Sequence, residues 1–112
     1  MVGYATYRHG DPVFEKYTPG ANVAAGDVVI VNDTPRVAHL DIPAGELGAL
    51  AGAGGIYEMY ADVAIAADKK VYWDPANHWV TATAGALKPF GYTTTATTGA
   101  GQTLYVRHDP AA

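Results

Sequence analysis

The sequence predicts an all-β fold, a small single-domain β-barrel or β-sandwich of short antiparallel strands. Short runs rich in Val, Tyr, Thr and Phe recur along the chain, as strands require. Gly, Pro, Asn and Asp separate these runs at the regular spacing of turns in a barrel or sandwich. No window shows a helical period, because glycine interrupts the alanine-rich pieces. With 112 residues, the chain has the length for one hydrophobic core.

The predicted strands divide the chain into three regions. Residues 1–20 form an N-terminal strand or arm segment, residues 21–108 form the barrel-like domain, and residues 109–112 form a loose tail. Strands are predicted where residues alternate between apolar and polar or form a short apolar run. These segments are residues 2–8, 13–17, 28–31, 36–42, 56–60, 90–96 and 103–107.

A β-hairpin is predicted between residues 70–73 and 79–84, because aromatic and β-branched residues flank a Pro/Asn turn. The predicted loop is Pro75-Ala76-Asn77, in which Asn77 takes the left-handed conformation. This register places Trp73 opposite Trp79, so both indole rings lie on one face of the hairpin.

A turn signal recurs before four of the strand-like runs. Small residues are followed by Asp, Glu or Gln, whose side chains can accept hydrogen bonds from free amides at a tight bend. The instances are AAGDVVIV at residues 24–31, PAGELGAL at 43–50, AADKKVYW at 66–73 and GAGQTLYV at 99–106. We interpret this signal as a structural device that turns the chain into each strand.

The composition argues against several classes of partner. The net charge is −4, and the seven Lys and Arg are spread singly apart from one pair, so a nucleic-acid surface is not expected. No membrane-spanning run and no signal peptide are apparent, so we expect a protein that is soluble and intracellular at synthesis. The absence of cysteine excludes disulfides and thiolate metal sites.

No catalytic, cofactor or metal site is predicted. The chain has no Gly-Lys dipeptide and therefore no P-loop, and it contains no serine nucleophile. The glycine-rich stretch at residues 52–55 is interpreted as a flexible loop between strands. The four histidines lie far apart in the sequence, and such isolated residues are expected to be solvated. They are His9, His39, His78 and His108.

Residues 26–107 resemble a known family, the decoration or cement proteins of tailed-phage and prophage heads. The likeness rests on GDVV at residues 26–29, IPAGELG at 42–48, GIYE at 55–58, KVYWD at 70–74, VTAT at 80–83, FGY at 90–92 and LYVR at 104–107. Ala67 stands where a glycine usually precedes Asp68. Members are often classed as a domain of unknown function, and some as RecA/RadA-type recombinases, which the missing P-loop excludes here.

The resemblance implies a non-enzymatic protein that binds the outside of a phage capsid and stabilises it. Its implied partners are the major capsid protein and further copies of itself, as a homotrimer rather than a dimer. Its implied location is the virion surface, after synthesis in the cytoplasm of the bacterial host. No cofactor, nucleic acid or membrane is expected.

Six aromatic residues are the candidate contacts to a partner or to another copy: Tyr4, Tyr7, Phe14, Tyr17, Trp73 and Trp79. The first four place the N-terminal segment against a neighbour or the capsid, the alternative being an ordinary edge strand. A different class of function stays open, a carbohydrate- or peptide-binding β-module. Its platform would be Trp73, Trp79, Tyr57 and Tyr60, and an exposed pair of tryptophans would favour it over the cement protein.

Overall fold

The protein consists of two antiparallel β-sheets. The structure is a computed structural model that describes residues 4–31, 33–96 and 102–110. The all-β prediction is confirmed. The six-stranded sheet has the order β1-β6-β10-β9-β7-β8, and the four-stranded sheet has the order β2-β5-β4-β3. The strands are β1 (Thr6–His9), β2 (Val13–Tyr17), β3 (Val28–Val31), β4 (Thr34–Ala38), β5 (Gly48–Ala53), β6 (Ile56–Tyr60), β7 (Lys70–Asp74), β8 (Trp79–Thr81), β9 (Lys88–Thr93) and β10 (Thr103–His108).

The six-stranded sheet curls towards a barrel. Just beyond β6, Ala61 bridges Val80 of β8 in parallel, which joins the two ends of the strand series β6-β10-β9-β7-β8. Its inner face and the facing side of the four-stranded sheet share the main core, in which Trp73, Tyr57 and Phe90 are the largest side chains. No helix in the described ranges has the length and apolarity to cross a membrane.

A second, smaller core lies on the other side of the four-stranded sheet. Ala38 and Leu50 are paired neighbours there and are buried together with Ile42. Val23 exchanges backbone hydrogen bonds with Ile42, with N–O distances of 2.9 and 2.8 Å, which fastens the connecting segments over this face. The four-stranded sheet therefore buries apolar side chains on both faces.

Strands β5 and β4 differ most from the sequence prediction, whereas β1, β8 and β9 differ from it only in where they begin or end. Strand β5 is absent from the predicted strands, and its last two residues fall in the stretch 52–55 that is interpreted as a loop, because β5 contains no β-branched or aromatic residue to signal a strand. It is instead central in its sheet, and only two residues, Gly54 and Gly55, connect it to β6, both with φ +83°. Strand β4 was predicted at residues 36–42 but begins at Thr34, directly opposite Val31.

The hairpin forms where predicted, but its register was wrong by one residue. Asp74 pairs with Trp79 and Trp73 pairs with Val80, so the loop has four residues rather than three. The Asp74 carboxylate accepts hydrogen bonds from the backbone N–H groups of Ala76 and Asn77 and from the Asn77 side chain. These bonds hold Asn77 inside the turn. The left-handed conformation that was predicted for Asn77 is taken instead by His78, at φ +60°.

This shift reverses the face on which Trp79 lies, because side chains alternate along a strand. Trp73 points into the core and is 1% exposed. Trp79 lies on the opposite face, half-buried, beside Asp74. The prediction that the two tryptophans share a face is therefore wrong.

The recurring turn signal is present at three of its predicted places, and the small residues of the fourth, 99–101, lie outside the described residues. In the first turn the backbone N–H of Asp27 donates to the carbonyl oxygen of Ala24 over 3.0 Å, and in the second that of Glu46 donates to Pro43 over 3.1 Å. The intervening glycines, Gly26 and Gly45, both have a positive φ. The third turn places Asp68 in the left-handed region at φ +60°. A further, unpredicted turn precedes β9, where the Leu87 N–H donates to the carbonyl oxygen of Ala84, and its positive-φ glycine, Gly85, is the second residue of the turn rather than the third.

A bulge in β9 organises the centre of the larger sheet. Val71 pairs with Gly91, whereas its neighbour Tyr72 pairs with Pro89, so Phe90 is an extra residue in β9. Phe90 consequently turns into the core, where it is fully buried. A Cβ atom added to Gly91 would lie 1.8 Å from the backbone oxygen of Arg107, so only glycine fits between β9 and β10.

We predict opposite effects of glycine at two adjacent turn residues. Asp68→Gly should raise the free energy of unfolding by about 0.5–1 kcal/mol, because glycine adopts the left-handed conformation without steric cost. Ala67→Gly, at a residue without positive φ, should lower it by about the same amount because of added entropy in the unfolded chain. Urea unfolding measures both, and changes of the same sign would contradict the assigned turn.

We also predict that Gly91→Ala abolishes folding or lowers the free energy of unfolding by at least about 3 kcal/mol, since the clash is with backbone that cannot move without parting β9 from β10. Gly20→Ala is the matched control, because no atom lies within 4 Å of an added Cβ there. Circular dichroism during thermal unfolding measures both variants. Equal melting temperatures would refute the close approach at Gly91.

Candidate interaction surface

The N-terminal segment packs on its own domain. The backbone N–H groups of Tyr4 and Ala5 both donate to the carbonyl oxygen of Gly26, each over 3.0 Å. The Tyr4 ring stacks on the ring of His78 with centroids 4.1 Å apart, and it also contacts Trp73. Tyr4 therefore fastens the start of the described chain to the β7–β8 hairpin.

Two exposed aromatic rings meet the half-buried ring of His39 at the side of the molecule where β1 leads into β2. Tyr7 and Phe14 are 41% and 48% exposed, and the His39 ring lies 4.8 and 4.9 Å from theirs. The Tyr7 hydroxyl donates to the backbone oxygen of Gly10. We call Tyr7, Phe14 and His39 the lateral cluster. Contacts among its rings fix their orientation within the chain itself.

A small cavity of about 230 Å³ adjoins the lateral cluster. Its walls include the rings of Tyr7 and His39. The rest of its lining consists of small residues, namely Ala5, Thr6, Ala25, Gly26 and Ala38. The cavity offers an apolar side chain a place beside the exposed rings.

A polar chain runs from the lateral cluster into the core. His39 Nε2 lies 2.6 Å from the Tyr57 hydroxyl, and burial lowers the pKa of His39 and raises that of Tyr57. The Tyr57 ring contacts the ring of His108, which is fully buried. His108 Nε2 donates to the carbonyl oxygen of Pro35 over 2.8 Å and so joins the two sheets.

The buried state of His108 was missed at the level of sequence, where isolated histidines are expected to be solvated. Its position was the available signal, because Leu104, Val106 and His108 alternate on the inward side of β10. Burial lowers the pKa of His108 to about 4. Its Nδ1 atom has no hydrogen-bond partner among the described residues.

The six predicted contact residues occupy different environments. Tyr7 and Phe14 are exposed, while Tyr4 is half-buried against Trp73 and Tyr17 packs on the smaller core. Trp73 lies in the main core. The structure brings Tyr7 and Phe14 together at His39, and it does not place the other four with them.

The aromatic platform expected for a carbohydrate- or peptide-binding module is not formed. Trp73 is 1% exposed and Tyr57 is fully buried, whereas Trp79 and Tyr60 lie on the outside. Within the described ranges, no three His, Asp or Glu side chains come together as metal ligands.

Comparison with protein families gives a match over most of the chain. A family model described as "Phage cement protein" matches residues 7–108. The matched residues include the whole of β2 to β10 and all of β1 except its first residue, Thr6. Comparisons with curated proteins and with solved structures gave no match.

We predict that the protein loses stability as the pH falls from 6.5 towards 4. The unfolded chain binds a proton at His108 below pH 6.5, but the folded chain does so only below about 4. The loss should reach about 2 kcal/mol at pH 5 and about 3 kcal/mol below pH 4. His39, with its lowered pKa, acts in the same direction.

Unfolding in urea at pH 7 and pH 5 measures this loss. The charged or titratable groups near His108 are Asp109, Arg36 and His39, and the first favours protonation of His108 while the other two oppose it. His108→Gln keeps an N–H donor towards Pro35 but cannot titrate, so its stability should change less between these pH values. His9→Gln, at an exposed histidine, is the control. If His108→Gln retained the full wild-type slope, His108 would not be the responsible group.

Proposed function

This chain belongs to the phage cement protein family, and we propose that it binds the outside of an assembled capsid and stabilises the shell without catalysing a reaction. The observation that carries the proposal is the family match over residues 7–108, which includes nearly all of both sheets. The family is one of structural phage proteins. A rigid β-domain suits this role, because a preformed surface loses little conformational entropy when it docks.

The proposed partners are the major capsid protein and further copies of the chain. We assign the lateral cluster to contact between copies in a symmetric homo-oligomer, which we propose to be a trimer. Tyr7 and Phe14 supply exposed apolar ring surface whose orientation is already fixed by His39. A trimer that docks between capsid subunits multiplies modest contacts, so it dissociates slowly even if each contact is weak.

The proposed location follows from the same premise. The chain is made in the cytoplasm of the bacterial host and then joins the outer surface of the assembled capsid. A carbohydrate-binding module is less well supported, since two of the four rings of its platform are buried, Trp73 and Tyr57.

Co-sedimentation with capsid shells tests the proposal. The shells are assembled from the major capsid protein of the phage that encodes this chain, in expanded and unexpanded forms. We expect the wild-type protein to sediment with expanded shells and to leave unexpanded shells free. Light scattering should give one oligomeric mass over a wide range of concentration. A monomer that binds neither shell but binds a glycan array would overturn the proposal.

The oligomer contact has its own variant and control. Phe14→Ala should weaken self-association at least about tenfold, because truncating a central aromatic residue commonly costs more than 1 kcal/mol. Leu47→Ala removes a side chain that is 67% exposed, next to Gly48 at the opposite end of the β2–β5 pair, and should leave the mass unchanged. Equal behaviour of the two variants would exclude the lateral cluster as the contact.

A further inference from the structure

The convex side of the six-stranded sheet carries a group of polar and aromatic residues across three adjacent inner strands. We call these residues the central patch: Lys70 and Tyr72 on β7, Tyr92 on β9, and Tyr105 and Arg107 on β10. They alternate with inward residues such as Val71 and Val106, which are fully buried. The central patch therefore faces away from the core.

We propose that the central patch is the surface that meets the capsid, and that it docks there on a protein surface rich in carboxylates. This inference rests on the proposed function. It adds the side of the molecule that faces the shell and the chemistry of the complementary surface, neither of which follows from membership of the family.

Strand pairing fixes the patch residues as neighbours. Arg107 pairs with Tyr92, and Tyr92 pairs with Lys70, so the three side chains form a row across the strands. The Lys70 ammonium nitrogen lies 5.9 Å from the centre of the Tyr72 ring. The tyrosine rings are half-buried, so they offer a preformed surface rather than mobile side chains.

The charge of the central patch is opposite to that of the rest of the chain. The patch contains two basic residues, which leaves five basic and eleven acidic residues elsewhere. Two carboxylates border it on the same side, Glu58 opposite Tyr105 and Asp74 at the end of β7. Both are engaged within the chain, Glu58 by Arg8 and Asp74 by the amides of its own turn. The ion pairs among the described residues are Arg8–Glu58, Arg36–Glu15 and Lys88–Asp33. Lys70 and Arg107 are therefore free of acidic partners in that part of the chain and available to a partner's carboxylates.

The composition of the central patch is that of an interface core. Tyr and Arg are enriched where protein partners make their strongest contacts, whereas Asp and Glu are depleted there. On the four-stranded sheet, the outward face is already covered by the smaller core around Ile42 and Leu50. The convex side of the larger sheet has no such cover from the described chain.

The size and charge of the patch select the occupant. Three strands about 4.8 Å apart and about 17 Å long cover about 250 Å², well below the roughly 800 Å² that each partner buries in a stable complex. If a second copy docked through the same patch, its Arg107 and Lys70 would face the Arg107 and Lys70 of the first copy, and these like charges would repel one another. Two cations are also too few for firm binding to nucleic acid. A capsid lattice compensates for the small area, because it repeats the contact for every subunit of a bound oligomer. The capsid protein can also supply the carboxylates that match the positive charge of the patch.

Charge reversal tests the inference on the full chain. Arg107→Glu should weaken sedimentation with expanded shells at least about tenfold, because it places like charge against the proposed carboxylates. Lys16→Glu makes the same change of net charge at an exposed residue of the other sheet and should shift binding less than about twofold. Tyr92→Ala should weaken binding as Arg107→Glu does. Wild-type binding should fall as sodium chloride is raised.

The outcomes separate this inference from the proposed function. If wild-type protein binds expanded shells and Arg107→Glu binds like Lys16→Glu, the central patch is not the docking surface, although the cement function stands. Failure of the wild-type protein to bind any shell overturns both. A change of oligomeric mass in Arg107→Glu would assign the patch to contact between copies. Patch-dependent binding to a glycan array or to single-stranded DNA would also overturn the inference.

Discussion

The close approach of β9 and β10 at Gly91 is the constraint on which the rest of the structure depends. The backbone oxygen of Arg107 occupies the space of a Cβ atom, so no other residue fits. The adjacent bulge turns Phe90 into the core against His108, with ring centres 4.5 Å apart. His108 in turn reaches the carbonyl oxygen of Pro35 on the other sheet. One backbone contact thus sets both the larger sheet and its attachment to the smaller one.

The same crossing determines what the molecule shows to its surroundings. Because side chains alternate along β9 and β10, the residues next to the buried ones point outward, and Tyr92 and Arg107 become neighbours on the convex side. The smaller sheet uses one face for the main core and covers the other with its own connecting segments. The smaller sheet is therefore buried on both faces, and the surfaces we propose for recognition are the convex side of the larger sheet and the lateral cluster.

The candidate site was only partly predictable from the sequence. Aromatic content in the N-terminal segment singled out Tyr7 and Phe14, which are exposed, but it equally singled out Trp73, which is not. An aromatic residue in a strand indicates that its ring packs against other groups, but it does not show on which face of the sheet the ring lies. That face depends on register, and in the hairpin one side chain, Asp74, shifts the register by binding the turn amides.

The sequence by itself determined the fold class, the family resemblance and the positions of the turns at Gly26 and Gly45. These depend on local chemistry, since a positive φ favours glycine wherever it occurs. Only the tertiary structure decided that β5 is a central strand, that Trp79 lies outside and that His108 is buried. Each of these is set by contacts between segments far apart in the chain, such as His108 with Pro35, and no local pattern encodes the energy of such contacts.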